Sequence, residues 1–117
     1  MVQNAKFSNR FDELLLLAVD ETMKYVMGER NTTIIYRYLE SKYCNKEEIP
    51  QKLEFFSSAL RDLIGNNRGQ MLGAASILEQ TIAEAFARKI GRSFEAPRPI
   101  NFPEYIKELK QKYIQKQ

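Results

Sequence analysis

The sequence predicts an all-α protein, a four-helix core bundle plus a proline-hinged C-terminal amphipathic helix. Three observations carry that expectation. Apolar residues recur at three- and four-residue spacing in successive stretches. Glycine, asparagine and proline punctuate the chain between those stretches. No stretch reads as a strand, and there is neither an internal repeat nor a low-complexity tract. With 117 residues, 44% hydrophobic and 28% charged, the chain suits one domain whose core requires neither disulfide nor metal.

The first helix is expected from about Ser8 to Met27. Ser8 or Asn9 can cap it, and Asp12 and Glu13 sit in the early turns, where the macrodipole favours negative charge. Gly28 is a natural stop. Phe11, Leu14, Leu15, Ala18, Val19, Thr22, Tyr25 and Val26 form one wide face, extended by Leu16, Met23 and Met27. Only a strip through Glu13, Asp20 and Lys24 is polar, so this helix is expected at the centre of the bundle.

A second helix is expected to begin after a cap at Asn31 and to reach Tyr43, with Ile35, Tyr36, Leu39 and Tyr43 at helical spacing. The β-branched run from Thr32 to Ile35 also suits a strand, but the cap, the spacing and the lack of a hairpin partner favour helix. A polar connection from Asn45 to Ile49 leads to Pro50, which a first helical turn tolerates. The third helix then runs to about Ile64. Leu53, Phe56, Leu60, Leu63 and Ile64 lie on one face, and Gly65 ends it.

Gly65 to Gly69 is a turn by composition, and the fourth helix follows to about Ile90, where Gly91 terminates it. Its stripe is Met71, Ala74, Ala75, Leu78, Ile82, Ala85, Phe86 and Ile90. Its first half is rich in small residues, Gly69, Gly73, Ala74, Ala75 and Ser76, which let another helix come close inside the fold or across a dimer interface. Residues 1–94 are thus read as the bundle core. Residues 95–103, with three prolines, form an extended linker. Residues 104–117 form a basic amphipathic helix opened by Pro103, with Tyr105, Ile106, Leu109, Tyr113 and Ile114 in one stripe.

Composition excludes much chemistry. There is no histidine, the usual general base near neutral pH and the commonest metal ligand. Neither a Ser-His-Asp nor a Cys-His site can be built from this chain alone, and no cofactor is expected. Cys44 is solitary, so no internal disulfide forms, and it reads as a plain reduced thiol. The longest apolar run, Leu14 to Val19, is far too short to span a bilayer, and Met1 to Ser8 carries no apolar signal segment. A cytoplasmic protein without a membrane partner is the expectation.

The net charge of +3 is unevenly spread. Residues 1–87 hold ten Lys/Arg and twelve Asp/Glu, a balance of −2, whereas residues 88–117 hold eight Lys/Arg and three Glu, a balance of +5. Three local clusters read best as structure. Gly65 to Gln70 with Arg68 could receive an anion, but lacks the spacing of a phosphate loop. Glu47 and Glu48 are adjacent loop carboxylates with no evident partner. Tyr36, Arg37, Tyr38, Lys42 and Tyr43 mix aromatic and basic groups, but Tyr36 and Tyr43 are explained as core. The last helix must bury its stripe, because an isolated helix of this length is marginal in water. It packs on its own bundle, on another protein chain, or on a membrane or nucleic acid.

A further pattern runs through the middle of the chain. Leu17-Ala-Val-Asp20-Glu21, Ile35-Tyr36-Arg-Tyr-Leu39-Glu40, Glu48-Ile49-Pro50, Phe56-Ser-Ser-Ala59-Leu60, Leu63-Ile64-Gly65 and Gly73-Ala74-Ala-Ser-Ile-Leu78-Glu79 occur in that order. Over about Leu14 to Ile90 this series resembles a family of small archaeal all-helical domains, described as output domains of ammonia-oxidising archaea. The resemblance implies a regulatory or sensing module, and offers no catalytic residue to carry over. The chain differs from the pattern in a longer stretch between Gly65 and Gly73 and in its C-terminal arm.

The leading expectation is a non-enzymatic protein–protein interaction or regulatory module, met by a protein partner or by a second copy in a homodimer. Its expected contact residues are Phe102, Tyr105, Ile106, Leu109, Tyr113 and Ile114 on the last helix, with Gly73 and Ser76 on the fourth. The alternative is an accessory nucleic-acid-associated protein using Arg88, Lys89, Arg92, Arg98, Lys107, Lys110 and Lys112.

Overall fold

The computed structural model describes residues 10–65, 74–96 and 100–115. All regular structure among them is helical, so the all-α class holds. The order is α1 (Arg10–Ser41), a 3-10 turn (Lys46–Gln51), α2 (Leu53–Leu60) running into a π turn (Arg61–Gly65), α3 (Ala74–Lys89) and α4 (Phe102–Gln115).

The first two expected helices are the arms of α1, with one glycine between them. Gly28 has φ 86° and ψ 163°, a conformation that only glycine adopts readily. Two side chains hydrogen-bond to backbone carbonyls at the break. Asn31 Nδ2 donates to the Met27 carbonyl at 3.0 Å, and Thr32 Oγ1 donates to the Gly28 carbonyl at 2.9 Å. Asn31 therefore donates backwards across the bend and does not supply the expected side-chain acceptor cap. The arms fold toward one another. Tyr36 donates its hydroxyl hydrogen to Asp20 Oδ1 at 2.7 Å, although the two residues would stand about 24 Å apart on a straight helix.

The second arm ends in a C-terminal motif that usually takes glycine. Cys44 N–H donates to the Leu39 carbonyl at 2.9 Å and Tyr43 N–H to the Glu40 carbonyl at 3.0 Å. Tyr43 stands at the left-handed position with φ 67°. Glu48 then closes the 3-10 turn, its Oε1 accepting from the Asn45 N–H at 2.8 Å. Pro50 lies inside that turn, ahead of α2 and not in its first turn. The same C-terminal motif ends α3. Arg92 N–H donates to the Ala87 carbonyl at 2.8 Å and Gly91 N–H to the Arg88 carbonyl at 3.1 Å, with Gly91 at φ 76°.

One hydrophobic cluster joins every helix. It contains Phe11, Leu15, Val19 and Met23 from the first arm, and Ile35 and Leu39 from the second. Phe56 and Leu60 come from α2, Leu78, Ile82 and Phe86 from α3, and Phe102 and Ile106 from α4. The most extensive helix pairing is between α1 and α3, and Ala75, Ala83 and Ala87 of α3 are buried. Residues 97–99, two of the linker prolines among them, lie outside the described residues. Phe94 is packed on the core, Ile100 is buried, and the Phe94 ring meets the Tyr105 ring edge-on at 5.3 Å.

Candidate interaction surfaces

The C-terminal helix is positioned from its first residue. Asn101 caps it, accepting from the Glu104 N–H at 3.2 Å. Phe102, Tyr105, Ile106 and Leu109 recur at helical spacing, and all four are buried in the chain's own core. Phe102 faces Phe56 with ring centroids 6.1 Å apart, and Tyr113 faces Phe11 at 5.3 Å. At the rim Lys107 pairs with Glu54. Lys110 Nζ lies 3.3 Å from Oδ1 of the buried Asp12, whose Oδ2 accepts from Gln51 Nε2 at 3.0 Å.

The expectation that this stripe meets a partner is therefore corrected. Phe102, Tyr105, Ile106 and Leu109 fill the space that α1, α2 and α3 leave between them, and Tyr113 is half-buried on Phe11. Ile114 alone of the stripe faces outward, 53% exposed. Ser76 is half-buried, and Gly73 lies outside the described residues.

The basic set divides in two. Lys89 pairs with Glu21 at 2.9 Å, and Lys107 and Lys110 hold the carboxylates just named. These three lysines act as clamps between helices. The Glu54 carboxylate keeps Lys107 above the ordinary lysine range, and Lys107 holds Glu54 below the ordinary carboxylate range. Arg88 and Lys112 are exposed, Arg92 is half-buried, and Arg98 lies outside the described residues.

Two polar centres inside the fold escaped the sequence reading. Glu79 is completely buried between α2 and α3. It accepts from the Ser57 hydroxyl, and Arg61 Nη2 lies 3.4 Å from its Oε1. Burial pushes the Glu79 carboxyl up, and Ser57 and Arg61 only partly offset this. The available signal was positional, since Glu79 sits four residues after Ala75 and three before Ile82, within the buried stripe. The other centre is Asp20. Burial raises it, but Tyr36, Lys24 at 3.0 Å and Lys46 at 3.3 Å together bring it below the usual range. Burial also raises Cys44, so its thiol stays protonated at neutral pH.

The surface that remains apolar belongs mainly to α1. Of eight large apolar side chains exposed among the described residues, Leu17, Tyr25, Val26 and Ile34 lie on the two arms, and Tyr43 follows directly. Tyr25 is 90% exposed and Val26 51%. Both were expected in the core, as was Tyr43, which the fold leaves exposed. By spacing Val26 continues the stripe of Ala18, Val19 and Thr22, but the fold leaves half of it uncovered in the last turn before Gly28. Beside the first arm, Leu16 and Leu17 floor a groove of about 350 Å³ rimmed by Arg10, Glu13, Asp20, Lys46 and Glu47. A second cleft, of about 340 Å³, lies between the Gly91–Glu95 segment and α4.

Among the described residues no cluster of three or more Cys, Asp or Glu side chains is placed to hold a metal ion. No described helix is long and apolar enough to cross a membrane. No family model, curated protein or solved structure matches the chain. The fold therefore defines an all-α bundle.

Proposed function

We propose that the protein is a non-catalytic, regulatory interaction module that self-associates through the bent α1 hairpin. The observation that carries this is Tyr25, an almost wholly exposed aromatic beside Val26 at the Gly28 bend. Tyrosine offers a large, stiff, amphipathic contact surface, and such residues anchor interfaces. Ile34 on the opposite arm adds apolar area, and exposed Glu29, Arg30, Arg37 and Glu40 bring both charge signs. A two-fold pairing needs that balance, because each charge must meet its complement on an identical surface. The likeness to small archaeal regulatory domains supports the same class of role.

The nucleic-acid alternative draws less support, since Lys89, Lys107 and Lys110 already hold carboxylates of their own fold. Amide hydrogen exchange on the full chain tests the proposal. Protection of residues 22–34 should rise with protein concentration while α4 stays unchanged. Concentration-independent exchange at the bend would remove the hairpin from the interface.

A further inference from the structure

The cleft between the Gly91–Glu95 segment and α4 differs in its charges from the neighbouring surface of α3 and α4. Arg92, Lys112, Glu95 and Glu108 all line it, two of each sign. Among the described residues none of the four is in an ion pair, whereas Lys89 at the end of α3 and Lys107 and Lys110 of α4 are. The floor is Leu109 and Tyr105, and Phe94 steadies the Tyr105 ring from the side. The Tyr105 hydroxyl is buried and makes no hydrogen bond. A buried donor in that condition is uncommon and calls for an explanation.

We propose that this cleft binds a small zwitterion of the amino-acid class, its carboxylate held by Arg92, Lys112 and the Tyr105 hydroxyl and its ammonium by Glu95 and Glu108. A lone anion would meet Glu95 and Glu108, and a lone cation would meet Arg92 and Lys112. Only a molecule carrying both charges is matched at both ends, and that is how such a site rejects the half-ligands. Arginine suits the carboxylate because its planar fork donates two parallel hydrogen bonds. The volume of about 340 Å³ is near the lower end of ligand cavities, which suits a molecule of this size. Different residues carry this inference from those that carry the hairpin proposal, so either can fail alone.

Ligand-observed NMR on the full chain, with the twenty standard amino acids one at a time and with acetate and ethylammonium, tests it. At least one amino acid should bind, and neither half-ligand should match it. Arg92→Ala should weaken binding by about tenfold or more, and Tyr105→Phe by about fivefold, the loss of one hydrogen bond. Glu108→Gln changes an exposed side chain outside the core, so it should weaken binding without altering the thermal transition. Acetate binding as well as the best amino acid, no amino acid binding, or folded variants keeping full affinity would each overturn the site.

Discussion

Tyr36 donates a hydrogen bond to Asp20 across the bend of a single helix, 2.7 Å between atoms sixteen residues apart. The contact ties the two arms of α1 together, and both partners titrate accordingly. Tyr36 is raised far above its ordinary range by burial and by Asp20, while Asp20 is lowered overall because Tyr36, Lys24 and Lys46 outweigh its burial. Tyr36→Phe should destabilise the protein by about 1.5–3 kcal/mol, the range for a hydrogen bond to a charged group. The sign with pH follows from a depressed carboxylate. Its stabilising share is present above the unfolded value of 3.8 and is lost as pH falls through the lower folded value. Urea denaturation at neutral and strongly acidic pH should show the penalty shrinking in acid.

Backbone conformation makes two opposite predictions. A Cβ on Gly28 would meet nothing within 4 Å, so Gly28→Ala tests the backbone alone. At φ 86° and ψ 163° it should cost about 1–3 kcal/mol. Tyr43→Gly should do the reverse. Its side chain is exposed and its φ of 67° disfavours any residue with a Cβ. The gain should be about 0.5–1 kcal/mol, after the added freedom of the unfolded chain is subtracted. Thermal unfolding monitored by circular dichroism reads both.

Removing Pro97 to Gln117 should unfold the protein. The deleted segment includes Phe102, Tyr105, Ile106 and Leu109, all buried. At about 1.5–3 kcal/mol for each large apolar side chain, the loss is roughly 6–12 kcal/mol. That rivals the whole stability of an ordinary domain, about 5–15 kcal/mol. A truncated chain that keeps a cooperative thermal transition would show that α4 is an accessory arm after all.

Glu79→Gln should stabilise the protein at neutral pH. Burial raises the Glu79 carboxyl, so the folded state holds its proton more tightly than the unfolded one. Stability therefore falls as pH climbs from the unfolded value of 4.5 through the folded one. Glutamine still accepts from Ser57, carries no charge to desolvate, and gives up only the 3.4 Å ion contact of Arg61, whose guanidinium keeps its access to water. The difference between the two proteins should vanish toward pH 4, as read by denaturant midpoints across the range.

Helical class and two of the helix stops were legible in the sequence because they are local. Gly28 and Gly91 interrupt helical geometry at the positions read as stops, both at positive φ, whereas α4 begins at Phe102 under an Asn101 cap, inside the residues read as linker. Leu53, Phe56 and Leu60 faced inward as their spacing required. What periodicity could not reveal was which faces are covered. Where the stripe of α4 packs stayed open because two of its ring partners, Phe11 and Phe56, lie far away in sequence. Tyr25 and Val26 looked buried because spacing carries no information about where the packing partners stop. Glu79 and Asp12 were hidden for a related reason, since only the fold brings Ser57, Arg61, Gln51 and Lys110 to them.

Sedimentation equilibrium of the full chain beside the double variant Tyr25→Ser/Val26→Ser tests the hairpin interface most directly. Both changes lie outside the buried core, so the variant should keep its thermal transition. The wild-type chain should sediment as a dimer at high concentration and the variant as a monomer. A wild-type monomer at every concentration, or a folded variant that dimerises equally well, would contradict the account.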